Sequence, residues 1–172
     1  VLRMKRRIMC LLLTLLFLAT LLPIPQAEAA HLRVSLSDLR EKFPNGTYWN
    51  HHSGYNNPNG YSTTPCGHLH GNCDYYGGCG CNSFDNAIQC MGYSYKLGYD
   101  YYGTSVKTWP KAYSLADLKP GDVVRINGDR HSLFVTAVTD TTVTYTDCNM
   151  DKHCGIRWDV VVSRSYLASL LT

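Results

Sequence analysis

Residues 84–97 read FDNAIQCMGYSYKL and carry the helical pattern around which the predicted fold is arranged. Apolar and aromatic side chains recur in it at the spacing of one helix face, at Phe84, Ile88, Met91 and Tyr95. Ser83 or Asp85 is available to cap the beginning of such a helix, and Gly98 follows its end. The stretch therefore predicts an amphipathic helix that carries Cys90 in its first half.

The chain after this helix changes to β-branched runs. Four runs have the composition and length of strands, at 123–126, 132–138, 142–147 and 156–162. Turn residues such as Asn127-Gly128 and Asp140 separate them, which favours an antiparallel meander. Helices packed on a small antiparallel sheet form an α+β fold, and residues 165–171 are expected to add a short closing helix.

The region before residue 84 has little periodicity. Ser37 is a plausible cap for a brief helix over 38–43, which Pro44-Asn45-Gly46 would end. Residues 47–83 are rich in Asn, Gly, Tyr, His and Cys, and a stretch of this length needs disulfides or a metal to hold it. We expect an N-terminal segment at 30–83 that forms a single domain with a core at 84–172.

The first 29 residues have the features of a secretory signal peptide. A basic beginning precedes an apolar run at 11–24, and Ala27-Glu28-Ala29 supplies a small-residue cleavage site. The run is short for a membrane span, although an uncleaved signal-anchor is the alternative. Removing this segment brings the formal charge from +3 to zero, so the composition gives no footprint for nucleic acid or anionic membrane. We expect a secreted, monomeric protein.

Seven cysteines remain after cleavage, and an odd number leaves at least one thiol outside any set of intramolecular disulfides. Cys90 is the candidate, because the positive end of a helix dipole near the first turn favours a thiolate. Such a nucleophile also requires a histidine. His131 opens a strand of fixed direction, whereas a half-exposed histidine in a turn is the structural alternative.

A general base needs an acceptor that orients its second ring nitrogen. Strict alternation along 142–149 places Asp147 and Asn149 on one face of the strand after His131. An antiparallel connection would bring that face near the imidazole. The alternative is that these two residues only end a strand.

The residues at 84–159 resemble a cysteine, histidine-dependent amidohydrolase/peptidase (CHAP) domain, within the NlpC-like, papain-like group. Four features carry the resemblance and follow the family order: Gln89-Cys90 before Gly92-Tyr93-Ser94, the turn LKPGDVV at 118–124, His131-Ser132-Leu133-Phe134-Val135, and Asp147-x-Asn149. The resemblance implies a papain-like thiol hydrolase with N-terminal helices on a small antiparallel sheet.

Residue by residue, the resemblance implies Cys90 as nucleophile, His131 as base, and Asp147 and Asn149 as the residues that complete the site. Gln89 is a further candidate that would help the Cys90 backbone amide to hold an oxyanion. The chain departs from the family pattern at Ser94, where alanine is usual. No acidic calcium-binding loop precedes the nucleophile, so neither calcium nor another cofactor is expected.

The remaining cysteines allow two interpretations. Cys148 and Cys154 would close a short loop as a disulfide, with further bridges stapling the irregular segment through Cys66, Cys73, Cys79 and Cys81. The alternative is a zinc site, since zinc prefers the ligand types found at Cys66, His68, His70 and Cys73.

These features predict a secreted cysteine peptidase or amidase. The resemblance implies an amide bond in bacterial peptidoglycan as its substrate. Two alternatives remain open: a non-catalytic extracellular binding module stapled by disulfides or zinc, in which Cys90 is only buried, and a thiol enzyme that acts on protein.

Overall fold

The computed structural model describes residues 33–50, 57–66, 81–112 and 114–171. They belong to one compact unit, Leu32–Thr172. The predicted signal peptide, together with His68, His70, Cys73 and Cys79, lies outside the described residues. None of the described helices has the length and apolar character needed to cross a membrane.

The first described helix, α1, spans Leu36–Lys42 and begins earlier than the sequence predicts. Ser35, not Ser37, is its cap: the Ser35 hydroxyl accepts the backbone N–H of Asp38, and the Asp38 carboxylate accepts the N–H of Ser35. This reciprocal pair satisfies two backbone donors at the helix start. Leu39 then points into the core with none of its surface exposed.

The predicted helix at 84–97 is partly wrong, because its first residues form a hairpin. Strands β1 (Ser83–Phe84) and β2 (Ala87–Ile88) pair antiparallel across a turn at Asp85 and Asn86, which have φ of 54° and 57°. Positive φ at both positions is the signature of a type I′ turn, and Asp and Asn tolerate it better than most residues. Helix α2 follows without a linker, over Gln89–Tyr102.

Helix α2 continues past the predicted stop at Gly98. It ends at Gly103, whose φ of 78° fits a left-handed cap and whose N–H donates to the Tyr99 carbonyl. Gly98 has a packing role instead, since a Cβ there would lie 2.7 Å from a methyl group of Val106 and 2.8 Å from the Trp109 ring. This glycine lets the segment after α2 approach the helix closely.

The four predicted strands form the expected meander, in the order β3-β4-β5-β6 and antiparallel throughout. Their bounds fall within one residue of the prediction: β3 Val123–Ile126, β4 His131–Val138, β5 Thr142–Cys148 and β6 Ile156–Ser163. A short helix α3, Arg164–Ser169, closes the chain as predicted, and a 3₁₀ turn lies at Val106–Thr108. The described residues thus form a mixed fold of a few helices and antiparallel sheets, which agrees with an α+β class.

Helix α2 packs against the sheet through a core of aromatic residues. Tyr93 is fully buried, meets the rings of Phe43 and Trp49 edge to face, and shares a hydrogen bond of 3.1 Å with the Thr146 hydroxyl in β5. Neighbouring Ser94 is also fully buried, and its hydroxyl has no hydrogen-bond partner among the described residues. The Tyr93 contacts fix α2, and with it Cys90, relative to the strands.

Candidate active site

Cys90 lies in the first turn of α2, where the helix meets the hairpin. The residue before it, Gln89, has a φ of 54°, which is uncommon for a side chain with a Cβ. Gly92 lets the first turn of α2 lie close to the Ala87 carbonyl oxygen, since a Cβ at residue 92 would be 2.3 Å from that oxygen. The backbone around Cys90 is therefore held in a conformation that a regular helix start would not require, as is common at functional sites.

His131 and Asp147 form the centre of the site. Nε2 of His131 lies 2.9 Å from Oδ2 of Asp147, and both side chains are withdrawn from water. The structure thus brings Asp147 to the imidazole of His131, in the position of an orienting acceptor. The other ring nitrogen, Nδ1, is then the one available to the thiol of Cys90.

Asp147 has a second cationic partner that the sequence reasoning missed. Arg157 of β6 donates from Nε to Oδ1 at 2.9 Å and from Nη2 to Oδ2 at 2.6 Å. Asp147 is fully buried, and burial alone would raise its pKa. The hydrogen bonds and charges of His131 and Arg157 outweigh burial and lower the pKa, so the carboxylate is ionised.

The thiol of Cys90 has an acidic character despite its burial. Burial raises the pKa of Cys90, but hydrogen bonding to His131, the charge of His131, the backbone N–H of Ser132 and the charge of Arg125 together lower it below the ordinary thiol value. The Ser132 amide and Arg125 are two further contributors that the sequence reasoning did not identify. Each favours the thiolate over the thiol.

The imidazole of His131 changes in the opposite sense. Burial lowers its pKa, but the hydrogen bonds and charges of Asp147 and Cys90 raise it to about 9. A lowered thiol pKa beside a raised imidazole pKa favours a thiolate–imidazolium pair at neutral pH. Cys90 and His131 expose only 8% and 9% of their surface, which limits the water that would weaken the pair.

Asn149 and Gln89 contact each other. The alternation predicted along β5 does not extend to Asn149, because the strand ends at Cys148 and Asn149 adopts a φ of 72°. Its Nδ2 donates to Oε1 of Gln89 at 3.2 Å, and its Oδ1 accepts the Cys154 backbone N–H at 3.0 Å. Asn149 therefore positions the residue that precedes the nucleophile.

The five described cysteines fall into different environments. Cys148 is fully buried, and its thiol contacts that of Cys154 across the β5–β6 connection. Sγ of Cys66 lies 3.7 Å from Sγ of Cys81, longer than the about 2.05 Å of a disulfide. No disulfide joins two of the described cysteines. The structure does not form the predicted Cys148–Cys154 disulfide, which stays a prediction.

The predicted zinc set is only partly described. Cys66 is buried, whereas the other three of its proposed ligands lie outside the described residues. The structure instead places Cys66 near Cys81 and Cys154.

Comparison with known proteins adds no relative to this picture. The chain matches no family model, no curated protein sequence and no solved structure.

The Cys90 thiol is expected to react with iodoacetamide at lower pH than an ordinary thiol. Its lowered pKa keeps the thiolate present until the pH falls through that lowered value, whereas a free cysteine loses it below about 8.5. Brief labelling across a pH series, followed by peptide mapping, measures this profile. His131→Ala should move the profile to higher pH, and Cys148, with its pKa raised to about 11, should stay unlabelled. A Cys90 profile like that of free cysteine would contradict the assignment.

Proposed function

We propose that this protein is a thiol amidohydrolase or peptidase of the CHAP-like, papain-like kind. The observation that carries the proposal is the series Cys90, His131 and Asp147, in which a thiol of lowered pKa interacts with an imidazole that a buried carboxylate holds at 2.9 Å. Nucleophile, base and orienting group are the three roles that thiol acyl transfer requires. The helix-then-sheet arrangement agrees with such a fold without identifying it.

The first half of the reaction is the attack on an amide carbonyl. The Cys90 thiolate forms a C–S bond, and the carbonyl electrons move to the oxygen. The backbone N–H of Cys90 lies in the first turn of α2, where amides have no acceptor within the helix, and in this mechanism it donates to the oxyanion. The oxyanion then re-forms the carbonyl as the C–N bond breaks, and the imidazolium of His131 donates its proton to the departing amine nitrogen, which leaves a thioester on Cys90.

The second half returns the enzyme to its starting state. Neutral His131 accepts a proton from water as the water oxygen attacks the thioester. The C–S bond breaks, which releases the carboxylic acid and the Cys90 thiolate beside a protonated His131. Asp147 stays ionised throughout and stabilises the imidazolium, and Arg157 holds the carboxylate in place.

The proposed substrate is the peptide part of bacterial peptidoglycan. The family resemblance is the source of this proposal. The predicted secretion signal is consistent with a target outside the membrane. The net charge of zero that is expected for the mature chain gives no long-range attraction to nucleic acid. The choice between amidase and endopeptidase depends on the bond that is cleaved.

Purified peptidoglycan tests the proposal. We expect the protein to release new amino groups while the number of reducing ends stays constant, because an amide and not a glycosidic bond is broken. Protein alkylated beforehand at Cys90 is the control and should release none. Release of amino groups from a protein such as casein, with none from peptidoglycan, would support the thiol hydrolase activity and overturn the proposed substrate. Release from neither would favour the non-catalytic binding module.

A further inference from the structure

Three buried cysteines meet at a point that the proposed reaction does not use. Cys66, Cys81 and Cys154 expose 6%, 4% and 0% of their surface, and their sulfur atoms all lie within 4.8 Å of one another. The three residues come from separate parts of the chain. Cys66 ends the segment 57–66, Cys81 lies two residues before β1, and Cys154 lies in the connection between β5 and β6. Distant parts of the chain thus converge on one set of sulfur atoms.

The sulfur spacing fits a metal site better than a disulfide. A tetrahedral zinc with Zn–S bonds of about 2.3 Å separates its sulfur ligands by about 3.8 Å. The Cys66 and Cys81 sulfur atoms are 3.7 Å apart, which is close to that edge and well beyond a covalent S–S bond. One ion can bind all three sulfur atoms, whereas a disulfide joins only two of them.

We propose that Cys66, Cys81 and Cys154 are three ligands of a structural zinc site. The donor set is soft and buried, which favours zinc over calcium or magnesium. Cys148 contacts Cys154 but does not lie within 4.8 Å of all three sulfur atoms, so it is outside the set. The site shares only Cys66 with the zinc alternative predicted from the sequence, and the inference does not depend on the proposed enzymatic activity.

Backbone hydrogen bonds already connect the segments that carry the three cysteines to the rest of the fold. The Cys66 N–H donates to the His153 carbonyl at 3.3 Å, and the Trp49 N–H donates to the Cys154 carbonyl at 2.8 Å. Cys81 forms an isolated bridge with Asn50. Short stretches of backbone hydrogen bonding hold these segments near one another. A metal ion would join them through its ligands.

The metal would also stabilise the surroundings of Cys90 from a distance. The Cys154 N–H donates to Asn149, and Asn149 donates to Gln89, the neighbour of the nucleophile. Cys81 stands two residues before the hairpin that leads into α2. Zinc is thus assigned a positioning role, with no part in the chemical steps.

Elemental analysis and thiol mapping test the proposal directly. The full chain is expressed with its N-terminal segment in a secreting host and purified without reductant or chelator. We expect one zinc per chain, and we expect Cys66, Cys81 and Cys154 all to be alkylated when the protein is unfolded in chelator without reductant. Absence of stoichiometric zinc, or any of these three cysteines in a disulfide, would overturn the site.

Variants separate a specific site from adventitious metal. Cys81→Ser and Cys154→Ser should each weaken zinc retention against a competing chelator by at least tenfold, whereas Cys90→Ala should retain one zinc per chain. Equal retention in all three variants would overturn the ligand assignment. If the serine variants do not fold, cobalt(II) exchange into the wild type replaces them. Thiolate-to-cobalt charge-transfer absorption of a three-thiolate tetrahedral site is expected, and its absence would overturn the proposal.

Discussion

Cys90→Ala is expected to lose amide-bond cleavage by about four orders of magnitude or more, because the variant lacks the thiolate that forms the acyl intermediate in the proposed mechanism. Alanine adds no volume at the start of α2, so the fold should be retained. The measurement is the rate of amino-group release from purified peptidoglycan, with circular dichroism and thermal unfolding to verify the fold. His131→Ala should lose nearly as much, since the two residues act as one unit.

A matched control for the loss of a thiol is Cys148→Ala. Cys148 is fully buried in β5, and the proposed mechanism gives it no role. The Cys148→Ala variant should change the rate of peptidoglycan cleavage by less than tenfold, with a modest decrease in stability from the lost packing. Peptidoglycan cleavage by Cys90→Ala at the wild-type rate would show that Cys90 is not the nucleophile.

Asp147→Asn is expected to reduce turnover by about a thousandfold. The variant removes the charge that stabilises the imidazolium, and an amide at this position can present an N–H toward Nε2 of His131. The pKa of His131, raised to about 9 in the wild type, should therefore fall toward its ordinary value. Because the imidazolium exists only below its pKa, the alkaline side of the rate profile should move to lower pH.

Arg157→Gln tests the positioning role of the second partner of Asp147. The Arg157 side chain is 43% exposed, so its removal should be tolerated by the fold. We expect a decrease of about tenfold in turnover, together with a small shift of the alkaline limb to higher pH, opposite to that in Asp147→Asn, because loss of a cation beside the Asp147–His131 pair favours the imidazolium. A thousandfold loss for Asp147→Asn with an unchanged pH profile would contradict the proposed electrostatic role and indicate a structural one.

The sequence predicts the sheet well because its strands carry their own signals. β-Branched runs and the turn residues between them predict the bounds of β3 to β6 within one residue. The start of α2 is predicted poorly, because Phe84 and Ile88 fit a helix face and a two-stranded hairpin equally well. The Asp85-Asn86 turn decides between them, and only its positive φ values make that visible.

The site divides in a similar way. The structure brings Cys90, His131 and Asp147 together as the motif order and strand alternation predict. The sequence does not single out Arg157, which lies in β6. Asp147 and Arg157 are cross-strand neighbours only in the observed register of the β5–β6 pair, which shifts between Tyr145 and Asp147. The convergence of Cys66, Cys81 and Cys154 had no local signal, because residues far apart in the chain meet only in the folded molecule.

The direct junction between β2 and α2 has a consequence for how this chain can evolve. Strand β2 ends at Ile88 and the helix begins at Gln89, so no linker absorbs a change in length. One inserted or deleted residue here would turn every later side chain of the helix by about 100° and point Cys90 away from His131. Descendants of this gene that keep the proposed chemistry must therefore keep this junction at constant length.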